Sequence, residues 1–223
     1  MRSWGLLVTG FYGLVVVCLL VPAARLMAGS LSWEGLAELY AEWMVWLVVG
    51  ILLGGEALLL LLSVDRSGPL LRRRTRLWVS VATTAALVGL LTFAAVVAVA
   101  AGVLGDDVFN QPYVSPIDAR WKILAWWLGL WLSWAIILYL HLREVSAPLS
   151  RVLRWLLSGS VLELLVAVPS HLIVRQRDDC SAPLATGLGI ASGIAVMLLA
   201  FGPGVLFLYR KRLQAYPRGR PGG

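Results

Sequence analysis

The sequence predicts an all-α protein: a polytopic membrane helix bundle of six transmembrane helices, both termini in the cytoplasm, with a short amphipathic interfacial helix after the first span. Three observations predict it. The chain is unusually apolar, its apolar residues fall into six runs of spanning length, and its basic residues cluster in alternate connections. Of 223 residues, 60% are hydrophobic and 14% are charged, where soluble domains average roughly half and a quarter. Mean hydropathy is +0.83.

The runs cover residues 4–27, 43–64, 77–104, 123–142, 152–174 and 184–209. Each meets the requirement of about 20 residues for a helix crossing the hydrocarbon core. Helix is the expected form, because lipid offers no hydrogen-bond partner to an open strand edge. Together the runs make residues 1–216 a single six-span domain. The tail 217–223, Pro-Arg-Gly-Arg-Pro-Gly-Gly, reads as disordered. The first run is too long for the apolar part of a secretory signal and lacks a small residue before Cys18, so it is expected to be a retained span.

Orientation follows from the cations. With the amino terminus inside, fourteen Lys and Arg lie in inner segments, including Arg72, Arg73, Arg74, Arg210 and Lys211. Five lie outside: Arg25, Arg120, Lys122, Arg175 and Arg177. That imbalance predicts both ends inside, in an inner membrane if the source is bacterial. The net charge of +7 sits at the ends of apolar runs rather than along a soluble face. It therefore points to anionic lipid at the cytoplasmic surface and away from nucleic acid.

Two connections carry more pattern. Between Ser30 and Glu42, the residues Leu36, Leu39, Tyr40 and Trp43 follow helical spacing, while Glu34, Glu38 and Glu42 recur on another side. This predicts the amphipathic helix on the outer surface. Residues 105–120, with Asp106, Asp107, Pro112 and Pro116, are expected to form an irregular outer loop.

Ionisable groups inside a bilayer are costly and mark function by default. Glu56 and Glu163 are placed so, at depths that would let them face one shared site. On the fifth run Ser160, Glu163, Ala167, Ser170 and His171 fall on one arc at helical spacing. That arc reads either as a proton or cation path, with Glu163 exchanging protons and His171 as outer relay, or as a seal in which Glu163 is hydrogen-bonded to a neighbouring helix. The last run carries Ala185, Gly189 and Gly193 at four-residue spacing, a close-packing face. Further along it Gly202, Pro203 and Gly204 predict a kink or break.

His171, Asp179 and Cys180 include metal-ligand types, but no second histidine is near and the spacing matches no established site. The two histidines, His141 and His171, sit at opposite ends of adjacent runs and would not share a haem. Trp126, Trp127, Trp131 and Trp134 would serve an aromatic ligand or, more plainly, lipid and neighbouring helices.

No cofactor is expected, and no nucleophile–base pair marks an enzyme. Three functions follow in order: a small secondary transporter or ion-conducting protein; a non-catalytic subunit or assembly factor of a larger membrane complex; and a membrane redox or metal-binding protein using the outer His171, Asp179 and Cys180. The partners expected beside lipid are other membrane-protein subunits or further copies of the chain.

Overall fold

Apolar runs with few helix-breaking residues fold as the sequence pattern requires, and every regular element among the described residues is helical. The computed structural model describes residues 2–29, 32–64, 70–105, 116–142, 148–177 and 181–215. Side chains are described over 6–29, 32–60, 78–105, 121–142, 151–177 and 181–201. Six segments are long and apolar enough to cross a membrane: Leu6–Met27, Trp43–Leu60, Trp78–Leu104, Trp121–Leu142, Arg151–Arg175 and Ala182–Phe201. The tail 217–223 lies outside the described residues.

The first rod joins α1 (Arg2–Val15) and α2 (Val21–Met27) through a π-helical turn, Val16–Leu20. Pro22 has no N–H for the Cys18 carbonyl, and its ring crowds that turn. Widening to the π form relieves the crowding, with the Val21 N–H bonding the Val16 oxygen instead. The carbonyl of Val17 inside this turn accepts the Tyr40 hydroxyl at 2.5 Å. Gly29, at φ 138°, ends the rod in a conformation that disfavours a side chain.

The predicted amphipathic helix is present as α3 (Trp33–Ala41), packed on α2 and α4 (Trp43–Val64). Ser32 caps it by accepting the Gly35 N–H at 3.1 Å. Leu39 is buried, whereas Glu34, Glu38 and Glu42 are exposed, as the spacing predicts.

Two expectations require correction. Residues 116–120 belong to α6 (Pro116–Leu142) rather than to an irregular loop. Pro116 stands at the first helical position, where its fixed φ suits a helix and its missing N–H costs nothing. In addition, α8 (Ala182–Ala215) is helical through Gly202, Pro203 and Gly204, so the break allowed there, as distinct from a kink, does not occur. One proline removes a single hydrogen bond, and the surrounding ladder carries the helix across it. Pro169 is accommodated in the same way inside α7 (Pro148–Arg175).

At the centre stands α5 (Leu70–Leu104), which packs on α4, α6, α7 and α8; α8 in turn packs most extensively on α7 and also meets α2, α4 and α5. Their shared core includes Leu59, Val81, Leu87, Leu156, Val196 and Leu199, all fully buried. By contrast α6 is peripheral and leans chiefly on α5. Two indoles fasten it there: Trp131 donates to the Ala82 carbonyl at 2.9 Å and Trp134 to the Thr92 hydroxyl at 3.0 Å.

Candidate functional site

The polar arc of α7 faces inward. Ser160, Glu163, Ala167, Ser170 and His171 are all buried, so the sequence periodicity identifies the correct face. What each residue meets there depends on a different neighbour.

Glu163 is only 2% exposed. Its carboxyl lies against α8 in a notch left by two glycines. A Cβ placed at Gly189 would stand 3.4 Å from Oε1 and 3.7 Å from the Ala94 Cβ of α5, whereas one placed at Gly193 would overlap Oε2. The glycine face of α8 therefore exists where a carboxyl needs room. Neither Glu163 oxygen has a hydrogen-bond partner among the described residues. The interhelical hydrogen bond expected of a sealing residue is not found at this position. Burying such a group without a donor costs several kcal/mol in its charged form (on the order of 2–7 even for a neutral polar group).

The other polar members of the arc meet different neighbours. The Ser160 hydroxyl donates to the Leu157 carbonyl of its own helix at 2.9 Å, and Ser170 fits against Gly102 of α5. His171 Nδ1 lies 2.8 Å from the Thr186 hydroxyl of α8. Thr186 itself donates to the Ala182 carbonyl at 3.0 Å. His171 and Glu163 are about two turns, roughly 12 Å, apart along α7. The arc is thus a row of separate polar contacts rather than one joined chain of hydrogen bonds.

Glu56 is also only 2% exposed. It lies within electrostatic reach of Tyr12 on α1, whose hydroxyl donates to the Ala195 carbonyl at 2.9 Å. Its Oε2 is buried without a partner among the described residues. Glu163 lies against Gly189 and Gly193 of α8, the helix whose Ala195 carbonyl accepts Tyr12, while α4 and α7 do not pack extensively on one another.

Beside the Glu163 notch lies a cavity of about 710 Å³, within the range of roughly 300–1,000 Å³ typical of ligand pockets. It is walled by the first rod, α4, α5, α6 and α8, on the side of the bundle that carries α3, and Gly189 and Ala94 belong to its lining. One side of Gly189 thus meets Glu163 and the same residue borders the cavity. The sequence reading missed this cavity, because none of its walls is unusual in composition.

For the metal reading, Asp179 and Cys180 lie outside the described residues. His171 turns inward to Thr186, and among the described residues no group of three ligand-type side chains converges. His141 packs at a tilt against Trp155, ring centres 5.7 Å apart, in surroundings unrelated to those of His171. Trp127 and Trp131 stack on one another at 6.3 Å, while Trp131 and Trp134 are committed to α5 through their N–H groups.

Fold and site together define a bundle of six long apolar helices, compatible with an integral membrane protein, holding an unpartnered carboxyl next to an apolar cavity. Comparison with protein-family models, curated proteins and solved structures finds no match to this chain.

Proposed function

We propose that this chain is a small secondary transporter of a cytoplasmic membrane, with both termini inside, in which Glu163 takes up and releases a proton or small cation. The observation that carries this reading is the Glu163 carboxyl, buried with both oxygens free of donors and backed by the cavity across Gly189. Among the described residues nothing donates to the carboxyl, so a charge there is costly. A change of charge at a carboxyl packed between α7 and α8 bears on how those helices meet. Binding and release at Glu163 are thereby linked to a change in helix packing, which is the coupling a transporter needs. The preference of fourteen cations for the inner segments over five for the outer ones supports the orientation.

The test is Glu163→Gln, which retains shape and removes proton exchange. Proton flux into proteoliposomes should fall to the level of empty vesicles, while detergent-solubilised protein keeps its elution profile. Flux unchanged in the variant excludes the assignment.

A second reading, as a subunit of a larger membrane assembly, is favoured by α6. Its exposed face bears Trp121, Trp126, Leu132, Ile136 and Leu140, and the helix is held mainly by α5. Stoichiometric co-purification of another polypeptide in mild detergent would support that reading, and a clean monomer would remove it.

A further inference from the structure

The cavity carries a statement about its occupant. Its lining is aliphatic along most of its depth, as at Val45, Val49, Leu90, Val97 and Leu188. Ser192 also borders it, but that hydroxyl is engaged by the Leu188 carbonyl of its own helix at 2.8 Å. A sugar, an amino acid or a hydrated ion would therefore lose its water without gaining directional hydrogen bonds from the walls. An apolar chain loses nothing there, because the walls are as apolar as the bilayer it leaves.

Among the described lining residues Lys122 alone is charged. It is exposed and lies at the start of the apolar segment Trp121–Leu142, at the rim of the bundle. Its ammonium is a point charge with three donors at one end of an otherwise apolar chamber. Both α4 and α6 contribute to the walls, yet these two helices do not pack extensively on one another, since α6 leans on α5. The chamber is therefore bounded on that side by a seam between helices rather than by a packed interface.

We propose that this cavity binds a single-chain anionic lipid, its hydrocarbon tail inside and its carboxylate on Lys122, admitted sideways through the seam between α4 and α6. The charge on the rim and the apolar depth match the two ends of such a molecule, and neither feature alone selects it. The assignment supplies a substrate class for the transport reading and in that respect rests on it, but occupancy is measured without flux.

The experiment uses the full chain in nanodiscs of uncharged lipid, with radiolabelled palmitate or hexadecanol as probe and empty nanodiscs subtracted. Palmitate should bind saturably. Lys122→Gln should weaken palmitate by about tenfold, the loss of one charge-assisted contact, and leave hexadecanol unchanged. Ala100→Trp, which fills the chamber, should remove both, with thermal unfolding run alongside to verify that the variant is folded. No saturable palmitate binding, or equal palmitate affinity in Lys122→Gln, overturns the proposal. Binding retained in Glu163→Gln while flux is lost supports both assignments. Saturable binding with no flux in the wild type removes transport alone.

Discussion

Single residues here act through what they are denied as much as through what they touch. Glu163 has space without donors, whereas Tyr40 has a donor's role that fixes the local backbone. The Tyr40 hydroxyl bonds the Val17 carbonyl within the π-helical turn. Burial, with a smaller contribution from Cys18, pushes the phenol above its ordinary value of 10.0. Because the folded state prefers the protonated form, the hydrogen bond is present in full below the unfolded value and is lost as pH rises through the higher folded one. Comparing wild type with Tyr40→Phe by thermal unfolding, the difference should stay constant up to about pH 10 and shrink above it. A difference that grows with alkalinity would contradict the assigned donor. Thr186→Val tests the other buried pair: it leaves His171 Nδ1 without its 2.8 Å neighbour and should cost about 1–3 kcal/mol in unfolding free energy.

At the scale of elements, the face of α8 towards α7 is built by subtraction. Gly193→Ala would drive a methyl group into the Glu163 carboxyl, whereas Gly189→Ala meets Oε1 at an ordinary 3.4 Å. The expectation is an asymmetry between two substitutions one turn apart. Gly193→Ala should destabilise by about 1–3 kcal/mol through overpacking, and Gly189→Ala should change stability by less than about 1 kcal/mol. A double-mutant cycle with Glu163→Ala gives the sharper measurement, because the Gly193→Ala penalty should largely vanish once the carboxyl is gone. Equal penalties in both backgrounds would show that the notch is not shaped by Glu163. Between α5 and α6, Trp134→Phe removes the 3.0 Å bond to Thr92 and should cost about 0.5–1.5 kcal/mol.

At the scale of the molecule, the arrangement divides into a packed centre and a loosely held flank. The centre is α5 with α7 and α8, and the flank is α6. The cavity lies where these meet on the α3 side, so helix movement there alters its volume first. Orientation belongs to this scale as well. Reporter fusions active only in the cytoplasm should be active at both termini, and activity at one end only would refute the count of fourteen inner to five outer cations.

The six apolar segments, the amphipathic α3 and the inward arc of α7 were legible in the sequence, because length, hydropathy and periodicity are local properties of a chain. Two local signals misled. Pro116 in a polar stretch reads as loop but starts α6, and Gly202-Pro203-Gly204 reads as a kink or break, of which the break is absent because α8 continues through it. Proline reports what a residue cannot donate, and neighbouring hydrogen bonds decide whether the helix survives it. Tertiary structure alone decided the neighbours: Gly189 and Gly193 for Glu163, Ala195 for Tyr12, Thr186 for His171. It also decided that a chamber lies behind Gly189, walled by residues from five segments of the chain. Periodicity states which face of a helix turns inward, but which helix that face meets, and how closely, depends on the packing of all the others at once.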